Sequence, residues 1–210
     1  MEVEKVTAFI TRKKNHNQEL LLILHPNAGI QIPAGTVDED ETVEKALKRE
    51  IIEETGLKRI KINYIGCKEI KLQDNEFIIS RRTKVFSRPN LTNFNWAGLE
   101  KGITVLSNRI YGEFTQITYR EYDRFPNPRF ITYEITGWIP TAILSKNMRR
   151  HFYHVVIDEN VQDEWEISAD NHKFKLFWSP FSNLSKIIEP QHKWLDYVRK
   201  DLGYKFEDKI

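Results

Sequence analysis

One cysteine, two methionines and no apolar run of membrane-spanning length set the first limits on this 210-residue chain. Cys67 has no second cysteine with which to form an internal disulfide, so the chain is not one of the small secreted folds held by cystines, and it suits a reducing compartment. No segment approaches the roughly 18 consecutive apolar residues needed to cross a bilayer. The N-terminal MEVEKVTAFITRKK alternates charged and apolar residues where a signal peptide needs an unbroken apolar stretch. A cytoplasmic location and no membrane partner are the expectation. Charge of one sign is also scarce: the net value is +2, which supplies no field for dedicated nucleic-acid binding. Neither a repeat of solenoid length nor a low-complexity tract occurs. What is present is an ordinary globular composition, 40% hydrophobic and 12% aromatic, long enough for one good core and a second small one. Function must therefore reside in a local site.

Val6–Arg12 and Glu19–His25 read as strands joined by the polar turn at 13–17. Gly29–Gly35 then leads through a Pro/Gly turn into the best helix candidate, Glu41–Thr55, which contains no Gly or Pro. Asp40 is its expected cap and Gly56 its left-handed stop. Arg59–Tyr64 alternates as a strand, with Ile60, Ile62 and Tyr64 on one face. From about Thr83 to Leu144 only short β-like runs separated by turn residues occur. Arg150–Ile157 and Phe174–Trp178 read as strands, Ser182–Ile188 as a short helical turn, and Gln191–Leu202 as a helix with Trp194, Leu195, Val198 and Leu202 along one stripe. The fold class is α/β.

The segment Gly35–Leu57 places eight carboxylates among three cations. On a helical wheel Val43, Ala46 and Leu47 form the inward stripe, and its continuation reaches Glu50, Glu53 and Glu54. Buried like charges repel and lose hydration, so such a stripe requires a cation. Carboxylates at this density suit a hard ion such as Mg²⁺, which is commonly shared between protein carboxylates and substrate phosphates. Arg49, one turn before Glu53, is placed to orient that carboxylate, and Gly35 permits close backbone approach, so that a main-chain carbonyl can join the metal shell. A solvated acidic face accounts for Asp38, Glu39, Asp40 and Glu44, but not for acids on a core stripe.

These residues carry a resemblance. Gly35, Glu41, Arg49-Glu50-Ile51, Glu53-Glu54 and Gly56-Leu57 fall at every specified position of the Nudix box, and Ile32-Pro33-Ala34-Gly35 is similar to the approach loop of that family, with Ala34 where many members have a second Gly. The resemblance to Nudix (MutT-like) hydrolases implies an α/β/α sandwich with a mixed sheet. It also implies metal-dependent cleavage, with Mg²⁺ or Mn²⁺, of the diphosphate in a nucleoside diphosphate linked to another group. By position, Glu53 and Glu54 are implied metal ligands, Glu50 a ligand or general base, Arg49 an orienting partner, and Glu41 and Gly56 structural members of the box. A further ligand from a later strand is implied, with Glu164 or Glu166 as the candidates. His25, His151 and His154 read as ordinary strand residues, since the metal mechanism does not require them. Subfamily markers such as a Pro or Tyr about sixteen residues past the box would fall near Gln73-Asp74-Asn75 and are absent, so no substrate is named beyond a small-molecule nucleotide, with oxidised nucleoside triphosphates as the default analogy.

The Nudix-like pieces, 1–79 and 147–210, are separated by an apparent insertion at 80–146. Lys84–Pro89, Leu99–Leu106, Gly112–Ile117 and Ile135–Pro140 in it resemble the strands of a bacterial Src-homology-3-like barrel, interrupted by the excursion Arg120–Tyr133 with Pro126 and Pro128. Such a module suits a peptide or intramolecular partner, a lid or spacer, or a homodimer surface. The competing class of function is a non-catalytic nucleotide sensor on the same fold. A calcium-binding module fits less well, because the acids lie on a helix rather than in an alternating loop.

Overall fold

The structure, a computed structural model, describes residues 1–123, 130–157, 160–169 and 172–202. In chain order the first elements are β1 (Val3–Lys14), β2 (Asn17–His25), β3 (Gly29–Gln31), β4 (Ala34–Thr36), helix α1 (Val43–Thr55) and β5 (Ile60–Lys71). Seven strands follow: β6 (Glu76–Ile79), β7 (Thr83–Phe86), β8 (Asn95–Leu99), β9 (Thr104–Tyr111), β10 (Phe114–Asp123), β11 (Phe130–Pro140) and β12 (Leu144–Ser145). The chain then returns through β13 (Asn147–Ile157), β14 (Glu164–Ala169) and β15 (His172–Pro180) to helix α2 (His192–Val198).

Two sheets result. The first runs β14-β15-β2-β1-β13-β5, with β3 on β2 and β4 on β1. It is mixed: β1 and β13 pair in parallel, Val3 opposite Met148, and the other pairs are antiparallel. Its central strands are buried on both faces over Val6–Ile10 of β1 and Leu20–Ile23 of β2, which explains why those short stretches do not alternate with charged residues. Val6, Ala8, Ile10, Leu21 and Ile23 pack against Ala46, Leu47 and Ile51 of α1, while Phe9, Leu20, Leu22 and Phe152 pack against Leu195, Val198 and Leu202 at α2. Leu47 and Ile51 are fully buried, and each contributes about 1.5–3 kcal/mol toward docking α1.

The second sheet runs β12-β6-β9-β10-β11-β7-β8, is antiparallel and curled, and encloses its own core of Ile79, Val85, Leu99, Val105, Ile117, Ile135 and Ile139. It begins at Glu76, since β6 pairs with β9 and β12 rather than with the first sheet. The strand expected at Leu99–Leu106 is two strands. A turn at 100–103 divides them, because Gly102 takes φ +86°. Arg120 and Glu134 continue the β10–β11 hairpin, so the ends of the expected excursion are ladder; Pro126 and Pro128 lie outside the described residues.

Helix α1 begins later than expected. Thr42, not Asp40, is the cap, its Oγ1 accepting from the Lys45 N–H at 3.3 Å. Glu41 stays outside the helix because its carboxylate is held by Arg49. The expected stop holds: Gly56 sits at φ +75° and its N–H donates to the Ile52 carbonyl at 2.9 Å.

Candidate active site

The apolar stripe of α1 does not turn acidic as the wheel suggested. It continues through Ile51 and Thr55, both buried, while Glu50 and Glu54 flank it on the β4 side, half-buried, and Glu53 is exposed. The cation that the sequence demanded is supplied first by Arg49. Its Nε and Nη2 donate to the two oxygens of Glu41 at 3.1 and 2.9 Å, and Nη1 donates to Glu50 at 2.8 Å and to Glu53 at 3.1 Å. Nη2 also donates to the Thr36 carbonyl at 2.9 Å, which ties the network to β4. One guanidinium thus gathers three carboxylates with charge-assisted bonds. Glu54 joins from the next turn, accepting from the Ala34 N–H at 2.9 Å.

The same loop explains Gly35. A Cβ there would lie 1.8 Å from the Glu50 carboxyl, so only glycine lets that carboxyl lie on the main chain. Burial pushes the Glu50 carboxyl above the ordinary value, with Arg49 opposing the shift. Glu41 moves the other way, lowered chiefly by its hydrogen bonds from Arg49.

Glu164 and Glu166 are not brought to this cluster. Trp165 and Ile167 of β14 face α1, with Trp165 Nε1 donating to the Thr55 carbonyl at 2.9 Å, so strand alternation sends both acids to the other face. There Glu164 pairs with Lys175 at 2.7 Å. His151 and His154 have structural partners: His151 bridges Glu4 and Tyr64, both at 3.2 Å, and His154 meets Thr11 Oγ1 at 2.8 Å.

Lys5 was not legible as a site residue. It sits beside the network, its Nζ donating to the Gly102 carbonyl of the second sheet at 2.7 Å. Burial, assisted by Arg150 and opposed by Glu50, lowers its pKa to about 8. Gly102 also abuts Thr36, where a Cβ would lie 2.3 Å from Oγ1. Only the β-hairpin register and the unusual backbone of Gly102 bring these residues together, and neither leaves a mark on the spacing near Lys5.

Residues 1–91 match the family model of the NUDIX domain. That stretch carries β1 to β7 and every carboxylate of the cluster, while the sheet that supports it is completed from outside the match, by β13 and β15. The chain is also similar to the NUDIX domain of Shewanella oneidensis NrtR, solved as a cocrystal with ADP-ribose. The identity is 12%, the alignment covers 96% of this chain and 89% of that chain, and the TM-score is 0.48. No curated protein matches the chain.

The donor set fits a hard divalent ion, since Glu50, Glu53 and Glu54 offer only carboxylate oxygens. Among the described residues no three acidic, histidine or cysteine side chains converge as a ready-made metal cage. Glu50 and Glu53 are instead drawn together by Arg49 Nη1.

Proposed function

We propose that this protein is a metal-dependent Nudix hydrolase that cleaves the diphosphate linkage of a nucleoside diphosphate joined to another group. The observation that carries the reading is the gathering of Glu41, Glu50 and Glu53 by Arg49 beside the glycine loop, with Glu54 held next to them by the Ala34 N–H. Mg²⁺ or Mn²⁺ would be held by Glu50, Glu53 and Glu54 with the Gly35 carbonyl. Such an ion neutralises the diphosphate and lowers the pKa of attacking water. Glu50, pressed against the main chain of Gly35, either completes the metal shell or accepts a proton from the attacking water. Arg49 orients Glu50 and Glu53, and Glu41 fixes Arg49. The catalytic unit is a discontinuous α/β/α sandwich formed by the first sheet with α1 and α2, in a cytoplasmic protein. The second sheet is an inserted module whose hairpins resemble a bacterial Src-homology-3-like barrel.

The test is incubation of the protein with Mg²⁺ and a panel of nucleoside triphosphates, nucleotide sugars, ADP-ribose, dinucleotides and capped nucleotides, with Glu53→Gln in parallel. Turnover that the variant loses supports the hydrolase. Binding of a nucleotide with no turnover by either protein makes it a sensor.

A further inference from the structure

Beside the carboxylate cluster is a cavity of about 160 Å³ with Glu54 on its wall. Its other polar lining is His25, Gln31 and His172, and Phe174 closes one side. Three of these are rings in mutual contact. His25 lies 5.0 Å from His172 and 5.2 Å from Phe174, centroid to centroid, and the latter two are 6.3 Å apart. They come from neighbouring strands: His25 ends β2, and His172 and Phe174 open β15, which pairs with it.

The protonation of His25 is fixed by its surroundings. Its Nδ1 accepts from the backbone N–H groups of Asn27 and Ala28, both at 3.0 Å. A nitrogen accepting two such bonds carries no proton, so the neutral ring carries its hydrogen on Nε2 and acts there as a donor. Burial, together with neighbouring His172, lowers the pKa of His25 and favours that neutral form, with the carboxylates of Glu121 and Asp123 at the end of β10 opposing the shift. A ring in this tautomer cannot ligate a metal through Nε2, but it can donate to a carbonyl.

The charge around the cavity decides what enters. No Lys or Arg lines it among the described residues, Glu54 is on its wall, and Glu121 and Asp123 of the second sheet lie close enough to act on His25. A phosphate would be repelled. A neutral, flat, carbonyl-bearing ring is not, and rings stack on His172 and Phe174. Size narrows the choice, since a cavity of about 150 Å³ takes one benzene ring.

We propose that this cavity binds the pyrimidine base of a nucleotide whose phosphates lie at Glu50, Glu53 and Glu54, with His25 Nε2–H donating to a ring carbonyl and Gln31 reading the adjacent edge. The placement of the phosphates rests on the hydrolase reading; the base pocket does not. Nudix-type chemistry at the carboxylates leaves the base unspecified, and this pocket supplies the specification.

Nucleoside monophosphates test the pocket without any hydrolysable linkage. UMP, CMP, AMP and GMP are titrated into the protein with Mg²⁺ present, and the matching uncharged nucleosides without it, by calorimetry, and the His25 and His172 ring signals are followed by NMR. UMP and CMP are expected to bind at least about tenfold more tightly than AMP and GMP, a difference of one good hydrogen bond, and to shift both histidine signals. His25→Asn keeps the turn, because an Asn side-chain oxygen accepts from the same two N–H groups, but its amide N–H₂ ends short of where Nε2–H stands. It should lower pyrimidine affinity about tenfold, and Phe174→Leu should weaken it independently.

Equal or tighter purine binding, no binding of any monophosphate, or pyrimidine binding unchanged in both variants overturns the proposal. The two readings fail separately. Pyrimidine binding at His25 without Mg²⁺-dependent turnover sinks the hydrolase and leaves the pocket. Turnover that needs Glu53 but ignores both the base and His25 sinks the pocket and leaves the hydrolase.

Discussion

Replacing Arg49 with Met removes the guanidinium that holds Glu41, Glu50 and Glu53. The Arg49 side chain is 29% exposed, and its partners Glu41 and Glu50 only 15% and 14%, whereas Glu53 is 54% exposed. Removing one partner of a fully buried pair costs about 3–5 kcal/mol, and an exposed pair is worth under about 1 kcal/mol. Two mostly covered carboxylates and one exposed one place Arg49→Met at about 2–4 kcal/mol, below the fully buried limit. Arg49→Lys keeps the charge but not the planar set of donors that reaches Glu41, Glu50, Glu53 and Thr36 together, so it should lose about half as much. At roughly 2–4 °C per kcal/mol for a chain of this size, the Met variant should melt clearly below wild type, with Lys between them.

Urea titrations at low ionic strength measure all three proteins. Adding Mg²⁺ then separates a structural cluster from a cation site. If the carboxylates take a divalent ion, Mg²⁺ should restore more stability to Arg49→Met than it adds to wild type, because in the variant it meets carboxylates with no guanidinium beside them. A loss below about 0.5 kcal/mol, within the range of an ordinary surface pair, would refute the burial argument. Equal losses for Met and Lys, or a Mg²⁺ effect larger in wild type, would refute the assigned role of the guanidinium.

Glu50 and Glu41 should respond to pH with opposite signs although both bond Arg49. The folded pKa of Glu50 lies above its unfolded value, so wild type loses stability as pH rises through that window, and Glu50→Gln should be the more stable protein at pH 7 but not below both values. Glu41 is lowered, so its contribution is present above the unfolded value and lost as pH falls through the folded one; Glu41→Gln should be destabilising at pH 7 and neutral in acid, as denaturant midpoints across pH will tell. Lys5, lowered to about 8 from 10.5, disfavours folding while charged, so wild-type stability should rise between those values relative to Lys5→Met; a flat difference curve between the two proteins refutes it. Gly102→Ala puts a Cβ 2.3 Å from Thr36 Oγ1 at φ +86°, a strain of about 1–3 kcal/mol. It should also lower kcat/KM by displacing Thr36 from Arg49, and unchanged urea midpoints would dismiss the contact.

Local chemistry was the legible part of this molecule. Helix α1, its glycine stop and the closeness of Arg49 to Glu53 follow from spacing alone, because they depend on residues within a few turns of one another. The cap was misread for a tertiary reason: Glu41 is drawn out of the helix by Arg49, two turns away, and so the helix opens at Thr42. Glu164 and Glu166 lie away from the cluster: sequence fixes alternation along β14 but not which face meets α1, and Trp165 takes that face by donating to Thr55. Strand divisions in the second sheet were blurred for a similar reason, since Leu99–Leu106 reads as continuous until Gly102 turns it.

The site residues with no sequence signal share one origin, the contact between the two sheets. Lys5 reaches Gly102, Gly102 presses on Thr36, and the Thr36 carbonyl accepts from Arg49, so the second sheet touches the carboxylate network through a chain of three contacts. At the other side, Glu121 and Asp123 of the β10–β11 hairpin act on His25 at the cavity beside Glu54. A module attached only at its ends, as a spacer would be, has no reason to reach the network that holds Glu50. That contact makes the second sheet a support of the network at β4, while the cavity beside Glu54 is lined by the first sheet, its loops and α1. The second sheet is therefore the element whose substitutions, Gly102→Ala among them, should disturb the setting of Arg49 without altering any carboxylate of α1.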